Sequence, residues 1–146
     1  MAIKRKKNKE KLVAEWKLKS GSGHYYSAFL WEDQKSFDEN THDNKPGEAA
    51  GCCNHAPMKL LVNEEGRVLK KCPPKKMGEV HFIKDKWNME IVAHELLHAL
   101  IGRFRNIQPK LCDIVMQNGN AEETICYGFG EWVDQSYRRL WKEDPA

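Results

Sequence analysis

Glu90-Ile-Val-Ala-His94-Glu95-Leu-Leu-His98-Ala-Leu-Ile101 is the most hydrophobic segment of an otherwise polar chain, and it carries a His-Glu-x-x-His pattern. Read as a helix, it sets His94 and His98 four residues apart on one face, where both imidazoles can reach a single zinc ion. Glu95, one residue on, then stands beside the water such an ion activates. Chance places the pattern in about 2% of chains of this composition. The apolar frame of Ile91, Val92, Ala93, Leu96, Leu97, Ala99, Leu100 and Ile101 lowers that figure. The plainer alternative is a core helix whose two histidines are satisfied by hydrogen bonds, since buried polar groups need partners.

Two histidines do not hold catalytic zinc; such sites use three protein ligands plus water. No histidine follows His98, so a third imidazole downstream of the motif is excluded and a carboxylate is required. Of the downstream carboxylates, only Glu122 and Glu123 stand at the start of a helix that can pack against the metal helix. That last helix is expected from Ala121 to about Trp141, with Ile125, Cys126, Phe129, Trp132, Val133, Tyr137 and Leu140 at helical spacing. Glu122 shares the face of Ile125, Cys126, Phe129 and Val133. Glu123 is followed by small residues three and seven positions on, Cys126 and Gly130, which would let its side approach the metal helix closely. Asn120 with Glu123 also fits a capping box. Geometry in the sequence leaves the two open.

Around this pair of helices the chain reads as one domain. Its 146 residues, 40% hydrophobic and 31% charged, are ordinary for a soluble protein, and no apolar run approaches the ~20 residues of a membrane span. Lys4, Arg5, Lys6, Lys7, Lys9 and Lys11 against Glu10 concentrate positive charge at the start of a chain whose net charge is +3. The remainder is therefore slightly acidic. Residues 1–12 read as a disordered basic arm, a solubilising tail or a weak, salt-dependent contact for nucleic acid, and residues 13–146 as the folded domain. The arm has no apolar stretch behind it, so it is not a secretory signal, and the expected location is the cytoplasm. Five cysteines, an odd number, argue for reduced thiols.

Trp16 and Leu18 alternate with charges, and after a Gly21-Ser22-Gly23 turn His24 to Trp31 is aromatic and alternating, so this part reads as strand. Glu32 to Pro57 is polar and rich in Asp, Asn, Gly and Pro; it reads as mostly loop, with room for one short helical turn, and as a candidate lid or binding loop. Met58–Val62 and Arg67–Lys71 form a hairpin that would bring Cys72 opposite Pro57, within reach of Cys52, Cys53 and His55. A second zinc site there is conceivable, though adjacent cysteines suit one tetrahedral site poorly. Gly78 to Asp85 is the next strand, expected to run along the metal helix with one edge open to an extended peptide, and His81 is its one polar side chain able to face the site. Asp85 or Asn88 caps the metal helix and Gly102 ends it. Phe104 to Gly119 is a connection with a short helix near 109–116.

The run Gly78-Glu79-Val80-His81-Phe82, then His94-Glu95-Leu-Leu-His98, then Glu123-Thr-Ile-Cys126-Tyr127-Gly-Phe-Gly130 resembles small zincin-type metallopeptidases of phages and bacteria, which are similar to minimal gluzincins. The resemblance covers roughly residues 58–141. It implies an α+β fold in which a small twisted antiparallel or mixed sheet packs on the His-Glu-x-x-His helix and a C-terminal glutamate helix. It also implies Glu123 as the third ligand, because in that family the ligand glutamate precedes a small residue, Tyr and Gly as Glu123 precedes Cys126, Tyr127 and Gly130. The implied activity is hydrolysis of peptide bonds in a protein or peptide substrate. One Zn2+ is held by His94, His98 and Glu123, and Glu95 is the general base, with Tyr127 or His81 as candidate helpers for the oxyanion. The alternative is a non-proteolytic zinc-binding regulatory module of a phage or other mobile element.

Overall fold

Two stretches of strand-forming sequence pair as an antiparallel hairpin, β1 (Leu12–Lys19) and β2 (Tyr25–Trp31). Six of the seven residues of β2 are buried, so apolar side chains leave it on both faces and it belongs in the middle of a sheet. The computed structural model describes residues 7–41, 47–107 and 119–142, without the side chains of Lys71, Ile107 and 119–124. After β2 come helix α1 (Gln34–Thr41), strand β3 (Gly51–His55), the hairpin β4 (Lys59–Val62) and β5 (Val68–Cys72), strand β6 (Lys76–Ile83), helix α2 (Met89–Ile107) and helix α3 (Gly119–Leu140). The four-stranded sheet has the order β1-β2-β6-β3; β2 and β6 are parallel and the two outer pairs antiparallel. The fold is thus α+β with a small mixed sheet.

One face of the sheet carries Ala14, Leu18, Tyr26, Ala28, Leu30, Val80 and Phe82, which pack against Val92, Leu96, Ala99, Leu100 and Phe104 of α2 and Trp132 and Leu140 of α3. Each large apolar side chain buried there contributes about 1.5–3 kcal/mol. Two indoles pin α3 to β1: Trp132 Nε1 donates to the Lys19 carbonyl at 2.9 Å, and Trp16 Nε1 to Ser136 Oγ at 3.2 Å. The opposite face holds a smaller cluster of Phe29, Trp31, Ile83 and Cys52 with Phe37 of α1. No helix among the described residues is long and apolar enough to cross a membrane.

Several expectations change. The polar stretch 32–57 is not mostly loop: Asp33 caps α1 by accepting from Ser36 N at 2.8 Å, and Gly51–His55 is a sheet strand. Strand β6 is interior, between β2 and β3, so the outer strand that meets α2 is β3. The connection expected to start at Phe104 starts later, because α2 runs through Gly102 to Ile107. The expected short helix near 109–116 lies outside the described residues.

His81 does not face α2. It is fully buried on the other side of the sheet, its ring stacked 4.9 Å from Phe29 and 6.1 Å from Trp31. The Trp31 indole N–H donates to His81 Nδ1 at 3.0 Å, so the neutral imidazole carries its proton on Nε2, which points at Glu79 Oε1 from 3.5 Å. Glu79 also meets Lys7 at 2.8 Å and Lys76 at 2.7 Å. Lys7 Nζ donates to the Asn40 carbonyl as well, at 2.9 Å, so this end of the basic arm bridges α1 and the sheet.

Burial pushes the Glu79 carboxyl up, but His81, Lys7 and Lys76 outweigh it and hold the group well below the usual range. A depressed carboxylate stabilises the fold above its ordinary pKa of 4.5, and that contribution is lost as pH falls further towards the folded value. Glu79→Gln is expected to cost about 1–3 kcal/mol at pH 7 and to lose less than wild type on going to pH 3. Thermal melts of both proteins at the two pH values check this.

Candidate metal centre

Helix α2 begins where Asn88 Oδ1 accepts from Ile91 N at 2.9 Å, satisfying one of the amides left open in the first turn. Val92, Leu96, Ala99 and Leu100 face the sheet, which leaves His94 and His98 on the exposed side. Their Nε2 atoms converge to 3.1 Å, with ring centroids 4.8 Å apart and planes at 76°. Two nitrogens bound to one tetrahedral zinc at 2.0–2.1 Å stand about 3.3 Å apart. A hydrogen bond between neutral rings has a similar length, but the convergence of both Nε2 atoms on open space fits a shared cation.

The expected ligand set is not complete among the described residues, where no group of three His, Cys, Asp and Glu side chains closes on one point. Glu122 and Glu123 both belong to the first turns of α3, and their side chains lie outside the described residues. The packing of α3 differs from the expectation that favoured Glu123. The glycine nearest α2 is Gly128, 3.5 Å from Leu100 Cδ1 as measured from an added Cβ, whereas Gly130 meets nothing within 4 Å. Cys126 is exposed and Tyr127 is 76% exposed. Ile125 and Phe129, three and seven residues after Glu122, pack against the core.

Glu95 lies against β3, not in open water. A Cβ added to Gly51 would stand 2.9 Å from Glu95 Cγ and 3.3 Å from its Oε1, so only glycine lets the strand backbone come this close. Burial raises the Glu95 carboxyl pKa, opposed by His94 and His98. Gly51, Cys53 and His55 alternate on the α2 side of β3. Burial, and then the Glu95 carboxylate, push the Cys53 thiol up to about 12.

At the far end of β3, His55 rests on Gly102: an added Cβ there would meet the His55 ring at 2.5 Å and Tyr26 Oη at 2.6 Å. Gly102 is therefore not a helix stop. It is a mid-helix glycine, unfavourable by about 1 kcal/mol in propensity, that makes room for an imidazole. Tyr26 Oη lies 2.8 Å from His55 Nδ1, and the two rings meet edge to face at 5.9 Å. Burial lowers the His55 pKa, as do the nearby charges of His98 and Arg105. Burial raises the Tyr26 phenol well above its usual value, with a smaller push from Cys53.

His55 and Tyr26 were not singled out in the sequence as parts of this site. The available signals were a His two residues after a Cys in a polar stretch and a glycine inside a helical pattern, which usually has a packing reason. The conceivable cysteine site is not formed. Cys52 and Cys53 leave opposite faces of β3, Cys52 among Phe29, Trp31 and Phe37 and Cys53 towards α2. Val62 pairs with Val68 at the turn, and a bulge between Leu61 and Val62 adds a further residue, so Cys72 pairs with Lys59, not Pro57. No protein-family model matches the chain, and comparisons with curated proteins and with solved structures find no match.

Seating of β3 on α2 makes a chemical prediction. Iodoacetamide at pH 8 is expected to modify exposed Cys126 and spare Cys53, whose thiolate fraction at that pH is about 10⁻⁴. Peptide mapping by mass spectrometry reads both sites, and equal rates would mean that β3 is not seated.

Proposed function

We propose that this protein is a zinc-dependent metallopeptidase of zincin type, with His94 and His98 as two metal ligands, a glutamate at the start of α3 as the third, and Glu95 as general base. The observation that carries this reading is the convergence of the two Nε2 atoms to 3.1 Å on a helix whose intervening glutamate is wedged against an edge strand. A pair of imidazoles alone would suit many metal-binding roles. The glutamate beside them, half-buried and held by packing, is what hydrolysis adds to metal binding.

Zinc, when bound, supplies a Lewis acid for the scissile carbonyl and a means of lowering the pKa of a water. Glu95 takes the proton from the attacking water and returns it to the departing amine. Its position against Gly51 holds the carboxylate without a search through rotamers, which is the geometric part of its contribution. Strand β3 pairs with β6 on one side only among the described residues. One face of β3 lies against α2, and its outer edge can pair with an extended peptide, presenting the carbonyl to the site by main-chain hydrogen bonds. This transfers to β3 the capture role expected of the Gly78–Asp85 strand.

The third ligand is proposed as Glu123 on the resemblance of Glu123, Cys126, Tyr127 and Gly130 to the zincin-type pattern, with Glu122 as the competing choice. Elemental analysis is expected to give about one zinc per chain, retained in Glu95→Gln and largely lost in Glu123→Ala. Loss in Glu122→Ala with retention in Glu123→Ala moves the ligand by one residue and leaves the chemistry unchanged. Glu95→Gln is expected to lower cleavage of wild-type substrates about 10²–10⁴-fold, and undiminished cleavage would sink the peptidase reading.

A further inference from the structure

Only the Gly51 end of β3 supports Glu95, and the other end of the strand, at His55, takes no part in the chemistry described so far. Strand β3 and helix α2 run side by side, touching at Gly51 against Ile91 and Glu95 and again at His55 against Gly102. Four strand residues cover about 13 Å and the seven helical residues from Glu95 to Gly102 about 10 Å, so the two contacts bracket one stretch of helix. His98 lies inside it, one turn before Gly102. His55 therefore stands on the opposite flank of His98 from Glu95.

We propose that His55 is a catalytic residue that donates a hydrogen bond from Nε2 to the oxyanion formed on the scissile carbonyl, and that Tyr26 is its positioning residue. This rests on the metallopeptidase reading. Tyr26 Oη lies 2.8 Å from His55 Nδ1, and a buried hydroxyl needs an acceptor for its proton; with Nδ1 as that acceptor, the neutral ring carries its own proton on Nε2. Tyr26 is fully buried and its ring packs on Trp132, so the hydroxyl is fixed by the core and the imidazole is fixed by the hydroxyl. His55, by contrast, is exposed. Gly102 completes the arrangement, since a methyl group at that position would occupy the place of the ring. An oriented donor on one flank of the carbonyl and the base on the other is the division of labour that water addition requires.

The test needs no turnover. Cobalt(II) is loaded into the full-length protein, and a phosphonate tripeptide, a tetrahedral oxyanion mimic, is titrated against its visible spectrum. Apolar flanking side chains suit exposed Leu97 and Ile101 beside the histidines. Expected are full cobalt content in every variant, affinity weakened about 10²-fold in His55→Ala and about 10-fold in Tyr26→Phe, and partial recovery in His55→Gln, whose amide can still donate. Melting curves establish that each variant is folded. Unchanged affinity in folded His55→Ala overturns the proposal and leaves the metal site standing, as does a wild type that takes up cobalt but binds no phosphonate. Loss of cobalt in His55→Ala also overturns it, by making His55 a ligand. A wild type that takes up no cobalt overturns this proposal together with the metallopeptidase reading.

Discussion

Close contact between an edge strand and a helix is the constraint on which the candidate site depends. Sheets and helices ordinarily pack through layers of side chains, but β3 meets α2 where two residues have none, at Gly51 and Gly102. Removing those two Cβ positions brings the strand backbone against Glu95 and an imidazole against the helix. The cost is a glycine at the first residue of β3 and another inside α2, where it weakens the helix. It is offset by the apolar core beneath, where Val92, Leu96, Ala99 and Leu100 lie fully buried against Tyr26, Ala28, Val80 and Phe82.

The sheet separates two kinds of polar chemistry. On the α2 side, above the buried Tyr26 phenol, His94, His98 and His55 are exposed and Glu95 is half-buried. On the α1 side His81 is sealed within a stack of aromatic rings, and Glu79 gathers Lys7 and Lys76 at its edge. That cluster, joined through Trp31, Lys7 and Lys76, holds structure together, whereas groups left open to solvent are available to a ligand. His81 and His55 occupy adjacent strands, and their different environments follow from which face each residue leaves.

Much of the fold was legible locally. Alternation in β1 and β2, the hairpin through Asn63 to Arg67, the Asn88 cap and the helical period of α2 and α3 are short-range signals, and each of these elements is present, with α2 extending past Gly102 to Ile107. Glu32 to Pro57 was misread because α1 and β3 are too polar to announce themselves. In α1 the buried residues include Ser36, Asn40 and Thr41, whose side chains bond to nearby main chain or to Asp33. Strand β3, Gly-Cys-Cys-Asn-His, has almost no strand propensity of its own. It is a strand because β6 offers it a ladder and α2 a surface.

What the amino-acid sequence determined by itself is the spacing of His94, Glu95 and His98 on an apolar helix, since a period of 3.6 residues places them without reference to anything distant. Only the tertiary structure decided which strand lies along that helix, on which face His81 and Cys52 are buried, and that Tyr26, His55 and Gly102 meet. Those three residues are 29 and 47 positions apart in the chain, and their meeting depends on the pairing order β1-β2-β6-β3. Pairing order arises from the competition of whole strands for one another, which no local pattern records.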